Sequence, residues 1–299
     1  MRRTVVVVVL AACFGAAAGC SSSAPDTHGR IPVVAAENFW GNIASQIGGA
    51  RVHVTSLISD PNADPHLYES DARAAESVAA ARVVIVNGAG YDDFVGKLLG
   101  STSGHRSVIT AAELAPKVRQ DANPHLWYDL TRVRAMAATM EQAFARDDAA
   151  HSSEFAANER HFDAALQPID DVIATIRTHF PHAPVAYTER VPGYLLQAAG
   201  LDVVTPSGFA RAIEDGNEPS AADTQRMKSL VSQHRLRVLL YNAQATSKVT
   251  SSVRTEARNA GVPVIAVTET MPVHAGSYQA WQLAQATELL HALEESASS

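Results

Sequence analysis

The chain has 299 residues, 46% of them hydrophobic and 18% charged, with a formal net charge of −7. That length holds one large domain or two lobes. An acidic balance with no basic patch along the chain leaves no electrostatic footprint for nucleic acid.

Met1-Arg2-Arg3 forms a basic head, followed by an apolar run over residues 5–10 and an alanine-rich stretch to Ala18. This is the pattern of a secretory signal, too short and too soon interrupted to span a bilayer. It closes on Ala17-Ala18-Gly19-Cys20 before three serines, which resembles a bacterial lipobox with Cys20 as the lipidated first residue and 20–30 as a tether. Leu10-Ala11-Ala12-Cys13 fits the local consensus too but leaves an unusually short signal, so Cys20 is preferred. Ordinary cleavage with soluble release is the alternative. Loss of residues 1–19 removes Arg2 and Arg3 from 24 basic residues set against 31 acidic ones, leaving a formal charge of −9. Cys13 goes with the signal and Cys20 is the lipid site. No disulfide and no cysteine-based metal site is then available, and a transition-metal site must use histidine and carboxylate.

A strand is predicted over 31–35, a helix over 39–48 ending at Gly48-Gly49, and a second strand over 51–58. A helix over 70–80 follows, then an apolar run over 82–86 closing at Asn87-Gly88, and a strand over 107–110. Short apolar runs alternating with helical patterns predict a mostly parallel sheet covered by helices. An alanine-rich helix over 131–146 completes a first lobe, 31–150.

Residues 152–179 then carry a nearly unbroken helical pattern, with Phe155, Phe162, Leu166, Ile169, Ile173 and Ile176 spaced by three, four or seven. One helix of ~25 residues would be about 40 Å long, enough to cross a lobe and to serve as a rigid link over 151–180. Two ordinary helices broken at Pro168 are the alternative. Alternation resumes in a second lobe, 181–295: strand 184–188, helix 192–199, strand 201–205, a Gly/Asp/Asn/Pro-rich loop over 206–219, and a helix to about 234 with Ser220 as N-cap and Asp223 three residues on. Strand 238–242, helix 248–259, strand 263–267 and a helix over 277–293 finish it.

Two nearly identical motifs punctuate the first lobe: Asp64-Pro65-His66-Leu67-Tyr68 and Asn123-Pro124-His125-Leu126-Trp127. Proline pushes the preceding residue into extended backbone, placing each histidine where a strand runs out into a loop. The histidines stand 59 positions apart, about one βαβ unit with its connections. Two such imidazoles suggest a shared metal; a chance repeat of surface turns is the other reading. In the second lobe, Glu189 and Glu269 each lie just past an apolar strand, where open α/β sheets bind ligands. Two imidazoles and two carboxylates would neutralise a divalent cation in a cleft between lobes. Taken singly, each glutamate also reads as a solvated strand end. The other histidines sit on or beside helical patterns without ligand spacing, and Tyr68 and Trp127 read as cleft walls.

Several stretches together resemble the metal-specific substrate-binding lipoproteins of bacterial ABC importers for zinc and manganese, the TroA/ZnuA-like family. They are the lipobox at Cys20, the segment from Val54 through Asp64-Pro65-His66 to Glu69, and Asn123-Pro124-His125-Leu126-Trp127. Thr188-Glu189, Tyr194-Leu195 before Ala199-Gly200-Leu201, Glu218-Pro219-Ser220 and Thr268-Glu269 add to them. The likeness runs from the signal to about residue 293. It implies two α/β lobes joined by one long rigid helix and a cleft metal held at the positions of His66, His125, Glu189 and Glu269. It also implies an ABC permease with its ATPase as partners, with the monomer anchored outside the plasma membrane through lipidated Cys20. The chain departs from relatives at Tyr128-Asp129-Leu130, where proline is common, and at Glu269, where aspartate is common. Zinc-type relatives usually carry histidine at the position of Glu189 and often a histidine-rich loop, which 113–122 is not. Two histidines with two carboxylates suit Mn²⁺, yet such a site binds zinc at least as tightly; manganese is favoured, zinc stays open and Fe²⁺ ranks third.

Two other function classes compete. An importer protein for a chelated or organic ligand, such as a siderophore or corrinoid, shares the long-helix architecture but needs an aromatic-rich cleft, and aromatics are 6% of residues. A secreted zinc hydrolase would need His-Glu-x-x-His or a comparable catalytic pattern, and none is present. An enzyme is not expected.

Overall fold

The computed structural model of the chain describes residues 29–60, 68, 70–119 and 122–298. The predicted signal, Cys20 and His66 lie outside the described residues.

Strand β1 (Ile31–Glu37) is buried on both faces through Val33, Val34, Ala35 and Ala36, the mark of an inner strand of a parallel sheet. It pairs in parallel with β2 (Val52–Ile58) on one side and β3 (Val83–Val86) on the other, and β4 (Ser107–Thr110) completes the order β2-β1-β3-β4. Parallel pairing demands crossovers: α1 (Asn38–Gly48), α2 (Ala72–Ala80) and α3 (Asp93–Ser101) supply them. Helix α1 buries Phe39, Trp40, Ile43, Ala44 and Ile47, a stripe at helical spacing. It rests so close on β2 that a Cβ at Gly41 would come within 2.1 Å of Ser56 Oγ. Helix α3 has no counterpart among the predicted elements. Gly96 and Gly100 weaken its propensity, and burial of Val95 and Leu98 against Val34 and Val84 stabilises it instead.

Helix α4 (Leu130–Asp147) begins at Asp129, whose carboxylate accepts the N–H groups of Thr131 and Arg132. Asp129 thus serves as the N-cap of this helix. The helical pattern over 152–179 forms α5 (Ser152–Ala164) and α6 (Gln167–His179). Ala165 and Leu166 between them keep right-handed helical dihedrals, φ −73, ψ −8 and φ −81, ψ −17. Pro168 has no N–H, and the Leu166 carbonyl instead accepts from Ile169 and Asp170 at 3.0 and 3.2 Å. The helical path continues while its hydrogen-bond ladder is interrupted.

The second sheet repeats the first. Its strands β5 (Pro184–Tyr187), β6 (Asp202–Val203), β7 (Val238–Asn242) and β8 (Val264–Val267) lie in the order β6-β5-β7-β8, all parallel. Helix α7 (Gly193–Ala198) joins β5 to β6, α8 (Ser207–Glu214) and α9 (Ala221–Ser232) lead to β7, and α10 (Lys248–Asn259) crosses to β8. Ser220 Oγ accepts from Asp223 N at 3.0 Å, as the spacing predicts. The predicted loop 206–219 is corrected in part: α8 occupies most of it. Phe209, Ala210 and Ile213 are buried there, Phe209 and Ile213 in one apolar cluster with Met227 and Val231, and that packing overrides the turn-forming residues around them.

Helix α11 (Tyr278–Ser298) returns to the first lobe. Tyr278 N donates to Asn42 Oδ1 at 2.9 Å, and Asn38 exchanges two hydrogen bonds with the backbone of Met271, 2.8 and 2.9 Å. One apolar cluster runs from Val33 and Ile85 in the first sheet to Val185 and Leu240 in the second. The two parallel, helix-covered sheets of the predicted fold are thus tied at their facing ends. Among the described residues, no helix is long and apolar enough to cross a membrane.

Candidate metal site

Parallel strands deliver their carboxyl ends to one side of a sheet. In the second sheet β7 lies between β5 and β8, with Tyr187 opposite Leu240 and Asn242 opposite Val267. Two residues past Tyr187 stands Glu189, and two past Val267 stands Glu269. Both are buried, together with His125 from the loop before α4. One donor atom from each of His125, Glu189 and Glu269 lies within 4.8 Å of the others. The structure therefore brings together three of the four predicted ligand residues, and His66 lies outside the described residues. The alternative of solvated strand ends fails for both glutamates, whose relative exposures are 1% and 0%.

His125 is held by its own motif. Its Nδ1 is 2.6 Å from Asn123 Oδ1, while Asn123 Nδ2 donates to Arg190 O at 2.7 Å. The second bond orients the Asn123 amide so that its oxygen faces the ring; Nδ1 then carries the proton and Nε2 presents its lone pair. That Nε2 is buried without a hydrogen-bond partner and faces Glu269 Oε2 at 3.6 Å. Two donors ~2.1 Å from a common tetrahedral ion stand about 3.4 Å apart, close to what is found. Pro124 adds rigidity: its carbonyl accepts from Asn87 Nδ2 at 2.8 Å, and Asn87 Oδ1 accepts from Trp40 Nε1 at 3.3 Å. Trp127 stacks on Phe39 at 4.2 Å between centroids and meets the imidazole edge-on at 5.2 Å. Tyr68 packs on Phe94 instead, at 4.6 Å.

The two carboxylates share one donor. Asn242 Nδ2 lies 2.6 Å from Glu189 Oε2 and 2.7 Å from Glu269 Oε1. Tyr91 Oη donates to Glu269 Oε2 at 2.9 Å. Burial first, then the negative charge of Glu269, pushes the Tyr91 hydroxyl well above its ordinary range, so it stays a donor. The backbone of Glu269 is fixed by Gln244, whose Oε1 accepts the N–H groups of Glu269 and Thr270 at 2.5 and 3.1 Å.

Tyr91 owes its position to a second pair of carboxyls. Asp92 accepts the N–H groups of Asn87 and Gly88 at 2.6 and 2.7 Å, closing a turn in which Gly88, Ala89 and Gly90 all have positive φ. Against Asp92 lies Glu37, the last residue of β1, completely buried. Burial and then the charge of Asp92 raise Glu37 well above the usual carboxyl range, while Asp92 is pushed up by burial to about 6. Both shifts favour the protonated carboxyl, and at Glu37 the charge of Asp92 adds to the effect of burial.

Residues 33–292 match the family model described as zinc-uptake complex component A, periplasmic (ZnuA). The chain belongs to this family. It is 22% identical over 272 residues to the manganese-binding lipoprotein MntA of Bacillus subtilis, covering 87% of each chain. It is 21% identical over 271 residues to the high-affinity zinc uptake system protein ZnuA of the same organism, covering 83% of each. Among solved structures, the periplasmic zinc-binding protein TroA of Treponema pallidum superposes with a TM-score of 0.75 at 20% identity, over 89% of this chain and 99% of TroA. This ZnuA-family chain thus has the two-lobe fold that its motifs implied, in a family of periplasmic metal-binding proteins that is not an enzyme family.

Asn242, Tyr91, Asn87, Glu37 and Asp92 were not among the predicted site residues. Three of them carried a usable signal: Glu37, Asn87 and Asn242 are the polar residues at the carboxyl ends of apolar strands, the same position that drew attention to Glu189 and Glu269.

Proposed function

We propose that this chain captures a divalent transition metal, manganese or zinc, in the cleft between its lobes and hands it to an ABC permease and its ATPase for uptake. His125, Glu189 and Glu269 are the ligands from the described residues, and His66 is the fourth by the family resemblance. Cys20, lipidated, tethers the monomer to the outer face of the plasma membrane, with the lobes at 31–150 and 181–295 and the link at 151–180. The observation that carries this reading is the buried, unpartnered Nε2 of His125 facing two buried glutamates. Leaving an imidazole lone pair unused in a buried site costs free energy, and a metal ion uses it. Names of relatives support the cargo: manganese for MntA, zinc for the ZnuA and TroA proteins. The protein's role is capture and release rather than chemistry, since four protein donors leave no open position for a reacting water.

Metal content by mass spectrometry tests this. The purified chain, stripped and then offered equimolar Mn²⁺, Zn²⁺ and Fe²⁺, should retain about one equivalent, lost in His125→Ala and in His66→Ala. A chain that retains no stoichiometric metal would overturn the reading in favour of an importer protein for a chelated or organic ligand.

A further inference from the structure

Among the described residues, Asn242 touches both anionic ligands and is itself neutral. Asn242 ends the strand lying between those that carry the glutamates, and it is completely buried. Its backbone N–H donates to Thr188 Oγ1 at 3.0 Å, and its Oδ1 accepts from Gln244 N at 3.0 Å. The second bond settles which end of the amide is oxygen, so the NH₂ group must face the carboxylates. That group has two hydrogens, and it spends one on Glu189 Oε2 and one on Glu269 Oε1. At 2.6 and 2.7 Å these are short, charge-assisted bonds. Glu269 meanwhile turns its other oxygen, Oε2, towards His125 Nε2; that oxygen also accepts from Tyr91 Oη at 2.9 Å and keeps a second lone pair for a metal.

We propose that Asn242 is a specificity-determining residue: by occupying one oxygen of each glutamate it makes both carboxylates meet the metal through a single oxygen, and so keeps the coordination number low. This inference rests on the metal-capture reading and deepens it. The physical argument is one of donor count. Two one-oxygen carboxylates and two imidazoles make about four donors, the tetrahedral number that zinc accepts readily. Manganese prefers about six donors rich in oxygen. Bidentate glutamates would provide that number, but only by turning the oxygens that Asn242 holds away from their present bonds, at the cost of two charge-assisted hydrogen bonds. The composition of the ligand set points towards manganese; the amide behind it tilts the balance back towards zinc. The same amide offsets the mutual repulsion of two anions held in a buried site, so they are already in place before the ion arrives.

The test compares the full chain with Asn242→Ala and Asn242→Ser, each loaded with Zn²⁺ or Mn²⁺. X-ray absorption at the zinc edge reads the donor number, and competition titration reads the ratio of zinc to manganese affinity. Wild type should show about four nitrogen and oxygen donors. Asn242→Ala should show about five or six, with the zinc-to-manganese ratio narrowed by about tenfold or more, the scale of effects from residues that orient metal ligands. Serine, with a single hydrogen to give, should fall between and decides the matter if the alanine variant does not fold. A merely structural asparagine would lower both affinities together and leave the donor number alone. Metal bound stoichiometrically by wild type and variants with equal donor number and equal ratio would overturn the role of Asn242 while leaving metal capture intact. Wild type binding no metal would remove both.

Discussion

Asn123 lies between the two lobes and spends each end of its amide on a different one: Oδ1 on the His125 ring at 2.6 Å and Nδ2 on the Arg190 carbonyl at 2.7 Å. The residue next to Arg190 is Glu189. One side chain therefore sets the tautomer of the imidazole and ties its loop to the backbone beside a carboxylate of the opposite lobe. Replacing Asn123 with alanine should weaken metal binding by about 10- to 100-fold, as expected for loss of a partner behind a ligating histidine. Calorimetric or competition titration would measure it. An unchanged affinity would show that packing alone orients His125.

Tyr91 reaches across from the first lobe to Glu269. Phenylalanine there keeps the ring packing on Trp127, 4.9 Å between centroids, and removes only the hydroxyl. A hydrogen bond to a charged group contributes about 1.5–3 kcal/mol. Tyr91→Phe should lower the stability of the metal-free chain by that amount, read from its urea midpoint at constant slope.

Glu37 makes stability depend on pH in a definite direction. Its folded-state value lies above the ordinary 4.5, so between 4.5 and that raised value the folded chain holds a proton the unfolded chain has released. Stability contributed by this group is full below 4.5 and falls as pH rises through the window. Glu37→Gln keeps the shape and a donor but cannot ionise. Relative to wild type it should be about equally stable at pH 4 and increasingly more stable towards pH 8, by chemical denaturation at each pH. A difference that stays constant or shrinks as pH rises would show that Glu37 is not held as the acid.

Metal removal should be visible as a loss of stability. A ligand that binds only the folded state at a thousand times its Kd stabilises by about 4 kcal/mol. The chelated chain should therefore melt lower than the loaded one, and His125→Ala should abolish the difference. Because proton and metal compete for the same imidazole lone pair, Kd should be larger at pH 5 than at pH 7. Equal affinities at the two pH values would contradict histidine ligation.

Much of this protein is written locally. The apolar runs at Val83–Val86 and Val238–Asn242 and the Ser220 cap are short-range patterns, and each forms the element that its spacing predicts. The helical stripe from Phe155 to Ile176 is local too, but it forms two helices, the alternative to one long helix. The histidine of a Pro-His-Leu-Trp motif and a glutamate just past an apolar strand are visible in the same way, because a strand's end is a local property. Helix α8 was not, since its formation depends on Phe209 and Ile213 finding Met227 and Val231. What tertiary structure alone decided is which strand ends meet. The order β6-β5-β7-β8 places Asn242 between Glu189 and Glu269, a neighbour relation that residue numbers 189, 242 and 269 do not disclose. Likewise, only the approach of the lobes sets Tyr91 on Glu269 and Asn123 on Arg190, and only burial and the nearby Asp92 raise Glu37 above the ordinary carboxyl range. Residue type and chain position determine which groups can bind a metal. Their number of donors, protonation and orientation depend on groups far away in sequence, because hydrogen bonding and desolvation act over a few ångströms of space.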